Sequence, residues 1–88
     1  MGEYPTKQEL RTIRDWPLTD PAGIVEYVES IWNHDYGLFR LKNLKLELHT
    51  GGWSGNEEII DAIQRHPTFW MYFWQKTERG GHYYFDLR

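Results

Sequence analysis

Two Gly-Gly pairs set the tightest limits on how this chain can fold. Glycine reaches backbone conformations closed to other residues and lets another group approach closely, so Gly51-Gly52 and Gly80-Gly81 each mark a sharp turn. They bracket a helix signal and an aromatic run. The stretches are His49-Thr50-Gly51-Gly52-Trp53-Ser54-Gly55-Asn56-Glu57, then Phe69-Trp70-Met71-Tyr72-Phe73-Trp74, then Arg79-Gly80-Gly81-His82-Tyr83-Tyr84-Phe85. Each pair stands beside a histidine and aromatic residues, which either line a site or fill a core.

The rest of the chain divides by its periodicity. Thr6-Lys7-Gln8-Glu9 has the Ser/Thr-x-x-Glu form of a capping box, followed by Leu10, Ile13 and Trp16 near helical spacing. This predicts a short N-terminal helix to about Asp15, closed by Trp16-Pro17. Asp20 suits an N-cap and Pro21 a first helical position, with Ile24, Val28 and Ile31 forming one stripe, so a second helix runs to about Trp32. The period then changes to two. Leu44, Leu46 and Leu48 face one way and Lys45, Glu47 and His49 the other, a half-buried strand, with Gly37 to Leu41 as its hairpin partner across Lys42-Asn43. Ser54-Gly55-Asn56-Glu57 predicts a second capping box, leading into a helix with Ile59, Ile60 and Ile63 on one face and Pro67 at its end. Phe69 to Lys76 and His82 to Leu87 are read as a final hairpin. Because both faces of the Phe69 strand are apolar, it is expected to be central, or else one face binds something. The resulting class is α+β: an antiparallel sheet of about four strands in two hairpins, two main helices and a short N-terminal helix, in the order α-α-β-β-α-β-β. No linker or repeat divides it, so residues 1–88 are expected to form one domain.

A chain of 88 residues buries roughly 60–65% of the surface its unfolded form exposes. Five Trp, six Tyr and four Phe supply large apolar area from few side chains. Without cysteine there is no disulfide and no thiolate metal site, which fits a reducing compartment. The start Met1-Gly2-Glu3-Tyr4-Pro5 shows no basic region followed by an apolar run, and no apolar stretch approaches the roughly 20 residues that span a bilayer. The expectation is a cytoplasmic protein with no membrane partner. The net charge of -3 disfavours nucleic acid as the main partner. The charge is uneven, with seven carboxylates against three Lys or Arg in positions 1–35, and six against seven from position 36 on.

Several residues can carry chemistry. Thr50 to Asn56 places backbone N–H groups at a helix start, a geometry that suits an anion or simply a turn. It is not a Walker-type loop, since no Gly-Lys-Ser/Thr follows, nor a nucleophile elbow, since Asn56 stands where the second flanking glycine should be. His34, His49, His66 and His82 occur singly, without zinc-type spacing, so no metal and no cofactor are expected. His49 ends one strand and His82 begins another, so the two can meet at a sheet edge. With Glu57 or Asp86 they would form an acid–base or metal-binding set. Tyr84 and Trp74 can form a base-stacking platform, although an aromatic run at strand spacing is more often core.

The ordered combination Thr50-Gly51-Gly52-Trp53-Ser54-Gly55-Asn56-Glu57 with Ile59-Ile60, Phe69-Trp70…Trp74 and Arg79-Gly80-Gly81-His82-Tyr83 resembles short uncharacterised proteins encoded by bacteriophages and prophages. The resemblance covers 55–60 residues, reaching loosely upstream to Ile31-Trp32. It implies an intracellular accessory role and carries over no catalytic residue.

The leading expectation is therefore a binding module without catalysis of its own. Both glycine loops would lie at one end of the sheet, with His49, Trp53, Ser54, Asn56, Arg79 and His82 lining a polar recess. Ser54 and Asn56 would offer hydrogen bonds, Arg79 a charge-assisted contact and Trp53 a stacking face. Its partner would be a small ligand, another protein or a second copy. One alternative is a small enzyme acting on nucleic acid or a nucleotide through His49 and His82. Another is a single-strand nucleic-acid binder using Tyr84 and Trp74.

Overall fold

The computed structural model describes residues 4–88; Met1 to Glu3, where a leader was sought in the sequence, lie outside it. Helix α1 (Lys7–Arg14) starts on the expected capping box, with Thr6 accepting from the Glu9 N–H while the Glu9 carboxylate accepts from the Thr6 N–H. Helix α2 (Pro21–Ile31) has Asp20 as its cap, accepting from the Gly23 N–H, and Pro21 at its first position. Strands β1 (Leu38–Lys42) and β2 (Lys45–His49) form the first hairpin, and α3 (Ser54–Arg65) follows. A short helix α4 (Phe69–Phe73) leads directly into β3 (Trp74–Glu78), and β4 (His82–Asp86) closes the chain.

All four strands are antiparallel in one sheet of order β1-β2-β4-β3. The α+β class and the expected element order hold, with α4 added. One sheet face carries the helices. Leu46, Leu48 and Phe85 from the two central strands meet Ile13, Ile24, Val25, Val28, Ile59, Ile60, Ile63 and Phe69 in the core. Three of these helices thus present the apolar stripe that their sequence spacing requires.

Three local expectations are corrected. The first concerns Phe69 to Phe73, which is helix rather than strand. His66 explains the start of this helix: its Nδ1 accepts from the Phe69 N–H at 3.0 Å and the Thr68 N–H at 3.3 Å, standing in for the cap that Thr68 does not supply. One helical turn then sends Phe69 and Phe73 inward, with ring centroids 5.1 Å apart, while Met71 and Tyr72 remain about 70% exposed. A strand would have buried Met71 beside Phe69. The strand that follows, β3, is an edge and not a central strand.

The second correction moves the first hairpin turn by one residue. Lys42 pairs with Lys45, so Asn43 and Leu44 are the turn residues, at φ 54° and 64°. Leu44 leaves the buried face, and its carbonyl accepts from the Leu87 N–H at 2.8 Å. A primed turn needs positive φ at both central positions, and the link to the C-terminal segment holds Leu44 there.

The third removes the second capping box. Trp53 is the N-cap of α3 and has no side-chain cap bond, so Ser54 is already inside the helix. The Trp53 ring is held instead by aromatic neighbours, Tyr4 at 5.0 Å and Tyr36 at 5.7 Å between centroids. The Ser54 hydroxyl pairs with the Tyr4 hydroxyl at 2.9 Å.

Candidate functional site

The two glycine loops meet at one end of the sheet. The Thr50 N–H donates to the Gly81 carbonyl at 3.0 Å, extending the β2–β4 ladder beyond its last pair, His49 with His82. Gly81 sits at φ +83°, and a Cβ there would collide with the Thr50 hydroxyl oxygen. That position therefore needs glycine for both conformation and space. Thr50 is fully buried and also accepts through its carbonyl from the Trp53 N–H.

Directly beyond this junction lie two imidazoles. Cross-strand partners share a sheet face, so His49 and His82 stand side by side on the face turned away from the core. Their Nδ1 atoms are 2.6 Å apart and their ring centroids 4.8 Å. Glu47, two residues before His49 on the same face, places Oε1 at 3.3 Å from His49 Nε2. With both rings neutral, these contacts define the protons. A carboxylate only accepts, so His49 Nε2 carries hydrogen and His49 Nδ1 is left as an acceptor. His82 Nδ1–H must then be the donor to it. His82 Nε2 forms no hydrogen bond among the described residues and backs onto the glycine turn, where a Cβ on Gly80 would come within 3.2 Å.

The same face continues away from the junction with charged and polar groups. Arg40 approaches Glu47 at 3.9 Å. The Tyr84 hydroxyl donates to Glu78 at 3.1 Å, and the Lys76 ammonium lies 4.8 Å over the Tyr84 ring. Burial of Tyr84, then its bond to Glu78 and the charges of Glu78 and Glu47, raise its hydroxyl pKa above the ordinary value. At the far end, hydrogen bonds from Arg88 hold the Asp86 carboxyl down at about 2.

The structure sorts the six residues singled out in the sequence. His49 and His82 are in contact. Arg79 occupies the turn between β3 and β4, exposed and without a hydrogen bond or ion pair among the described residues. Trp53 and Ser54 belong to the cluster with Tyr4 and Tyr36 at the start of α3. Asn56 is completely buried: Oδ1 accepts from the Asn33 N–H at 3.0 Å, and Nδ2 donates to the Asn33 and Thr50 carbonyls at 3.2 and 3.3 Å. It ties the end of α2 to the end of β2. Asp86 pairs with Lys45 four rungs from the histidines, and Glu57 lies on the exposed side of α3. The carboxylate beside the pair is Glu47, a residue the sequence reading passed over although the alternation of Lys45, Glu47 and His49 already placed it on the right face.

Tyr84 and Trp74 do not form one platform. Trp74 pairs with Phe85 and stacks on Trp70 on the core side, whereas a bulge places Lys76 opposite Tyr84 on the outer side. Among the described residues, no group of three or more His, Asp or Glu side chains converges on a metal-sized point, and no helix is long and apolar enough to cross a membrane. No family model, curated protein or solved structure gives a match to the chain.

Proposed function

We propose that the protein is a small cytoplasmic accessory protein of the bacteriophage or prophage kind, acting as a binding module for an anionic group at the sheet end where its glycine loops meet. The observation that carries this reading is Arg79, a cation with no partner among the described residues, in the turn that delivers His82. A guanidinium offers several donors in a fixed fork, which suits an anion, and Arg79 stands three residues before His82 in the turn that meets the Gly51-Gly52 loop. Loop-borne polar groups on a rigid sheet are the usual makings of a recognition site.

Titration of ¹⁵N-labelled protein with inorganic phosphate, a mononucleotide and a short acidic peptide tests it. Shifts should cluster at residues 49–53 and 79–82 and should vanish in Arg79→Ala. Shifts centred instead on the open groove lined by Gln8, Arg11, Trp16 and Asp20, or none with any probe, would refute the reading.

The Glu47–His49–His82 chain favours one second reading, acid–base catalysis on a nucleotide with His82 Nε2 as the reacting atom. At 2.6 Å between nitrogens no substrate group fits between the rings, so His49 would orient His82 rather than act as its opposite partner. A hydrolysis screen that stays blank with pure protein eliminates this reading.

A further inference from the structure

We infer that His49 and His82 form a two-imidazole chelate for a borderline transition-metal dication such as Zn²⁺, Ni²⁺ or Cu²⁺, with Glu47 as the outer carboxylate that orients one ligand. The two Nδ1 atoms face each other from adjacent strands, 2.6 Å apart. Neutral imidazole nitrogen is a preferred donor for these ions. The pairing of His49 with His82 in the ladder fixes their Cβ separation, so the donors are brought together by the sheet and not by flexible loops.

Glu47 supplies the second observation. A metal-bound histidine commonly donates its other ring N–H to a carboxylate, which fixes the tautomer and strengthens the ligand. His49 has that arrangement, with Nε2 toward Glu47 and Nδ1 toward His82 Nδ1. Bonds of about 2.0–2.1 Å hold two nitrogens roughly 3.3 Å apart at a tetrahedral angle and roughly 2.9 Å apart at a right angle. The pair at 2.6 Å must therefore open by roughly 0.3 Å for a right angle and roughly 0.7 Å for a tetrahedral one. In a neutral pair His82 gives up its Nδ1 proton and carries one on Nε2 instead, so binding releases no net proton. The remaining coordination positions are filled by water or by an added ligand. This inference does not depend on the anion reading.

Zn²⁺ titration of untagged, ¹⁵N-labelled protein, read at the imidazole nitrogens, tests it. One equivalent should shift both Nδ1 resonances saturably, and His49→Ala and His82→Ala should each weaken binding at least tenfold. Glu47→Gln should weaken it about tenfold, and His34→Ala should not change it. Paramagnetic broadening by Cu²⁺ on the wild-type protein provides a readout that needs no variant and should centre on residues 47–49 and 82–84. Absence of saturable shifts, coordination through Nε2, broadening centred elsewhere, or full affinity in folded His82→Ala would overturn the inference.

Discussion

Removing the Asn56 side chain should cost this protein a large share of its stability. Asn56 is fully enclosed and makes three hydrogen bonds, accepting from Asn33 and donating to the carbonyls of Asn33 and Thr50. Each buried hydrogen bond contributes about 1 kcal/mol net, and more where truncation leaves its partner dry and unpaired. Asn56→Ala should therefore lose about 3 kcal/mol, a drop in Tm of roughly 12–24 °C for a chain of this size. Urea melts followed by Trp fluorescence and far-UV circular dichroism measure it. Asn56→Asp retains the acceptor but sets an oxygen against two carbonyl oxygens, so it should lose at least as much at neutral pH. Some of that loss should return as pH falls, because a protonated carboxyl can donate to one carbonyl. Ser54→Ala is the control. As an N-cap, Ser54 would be worth about 1 kcal/mol, but with only an exposed bond to Tyr4 it should stay within about 0.5 kcal/mol. If Asn56→Ala loses less than about 1 kcal/mol, Asn56 is not the clamp between α2 and β2, and the assignment of its hydrogen bonds is wrong.

Gly81→Ala should cost about 2 kcal/mol or more, since positive φ and the Thr50 hydroxyl oppose it together. Gly52→Ala, at φ +76° with no atom within 4 Å, should cost only about 1 kcal/mol. Equal losses in paired melts would show that the contact with Thr50 contributes nothing. His66→Ala removes a donor to the Trp16 carbonyl and the acceptor that starts α4. It should lose about 2–3 kcal/mol together with hydrogen-exchange protection at the Phe69 amide, and retained protection would contradict the capping role. The Asp86 carboxyl should titrate near 2 by NMR, returning toward 3.8 in Arg88→Ala. Its folded value lies below the unfolded one, so its contribution to stability is present above about pH 4 and fades as pH falls toward 2. An ordinary midpoint in the wild type would remove the Arg88 contact from solution.

Local signals in the sequence determined the first two helices, the β2 alternation and the class. The Thr6 capping box, the Asp20-Pro21 start and the period-two leucines each act through neighbours a few residues away. The juxtaposition of His49 and His82 was legible only as a possibility, because strand ends come together through register, and register is a tertiary quantity. What the sequence could not determine follows the same line. Phe69 to Phe73 is apolar on every side, a pattern that strand and buried helix share. The choice was made by His66 capping the turn and by Phe85 waiting in the core. Ser54 and Asn56 stood together in one polar motif, yet the fold exposed one and enclosed the other. Trp53 packing between Tyr4 and Tyr36 sets where α3 begins, and that start point places Asn56 against Asn33 and Thr50. Short-range chemistry chose the elements, and contacts between residues far apart in the chain decided which polar groups were left for a ligand.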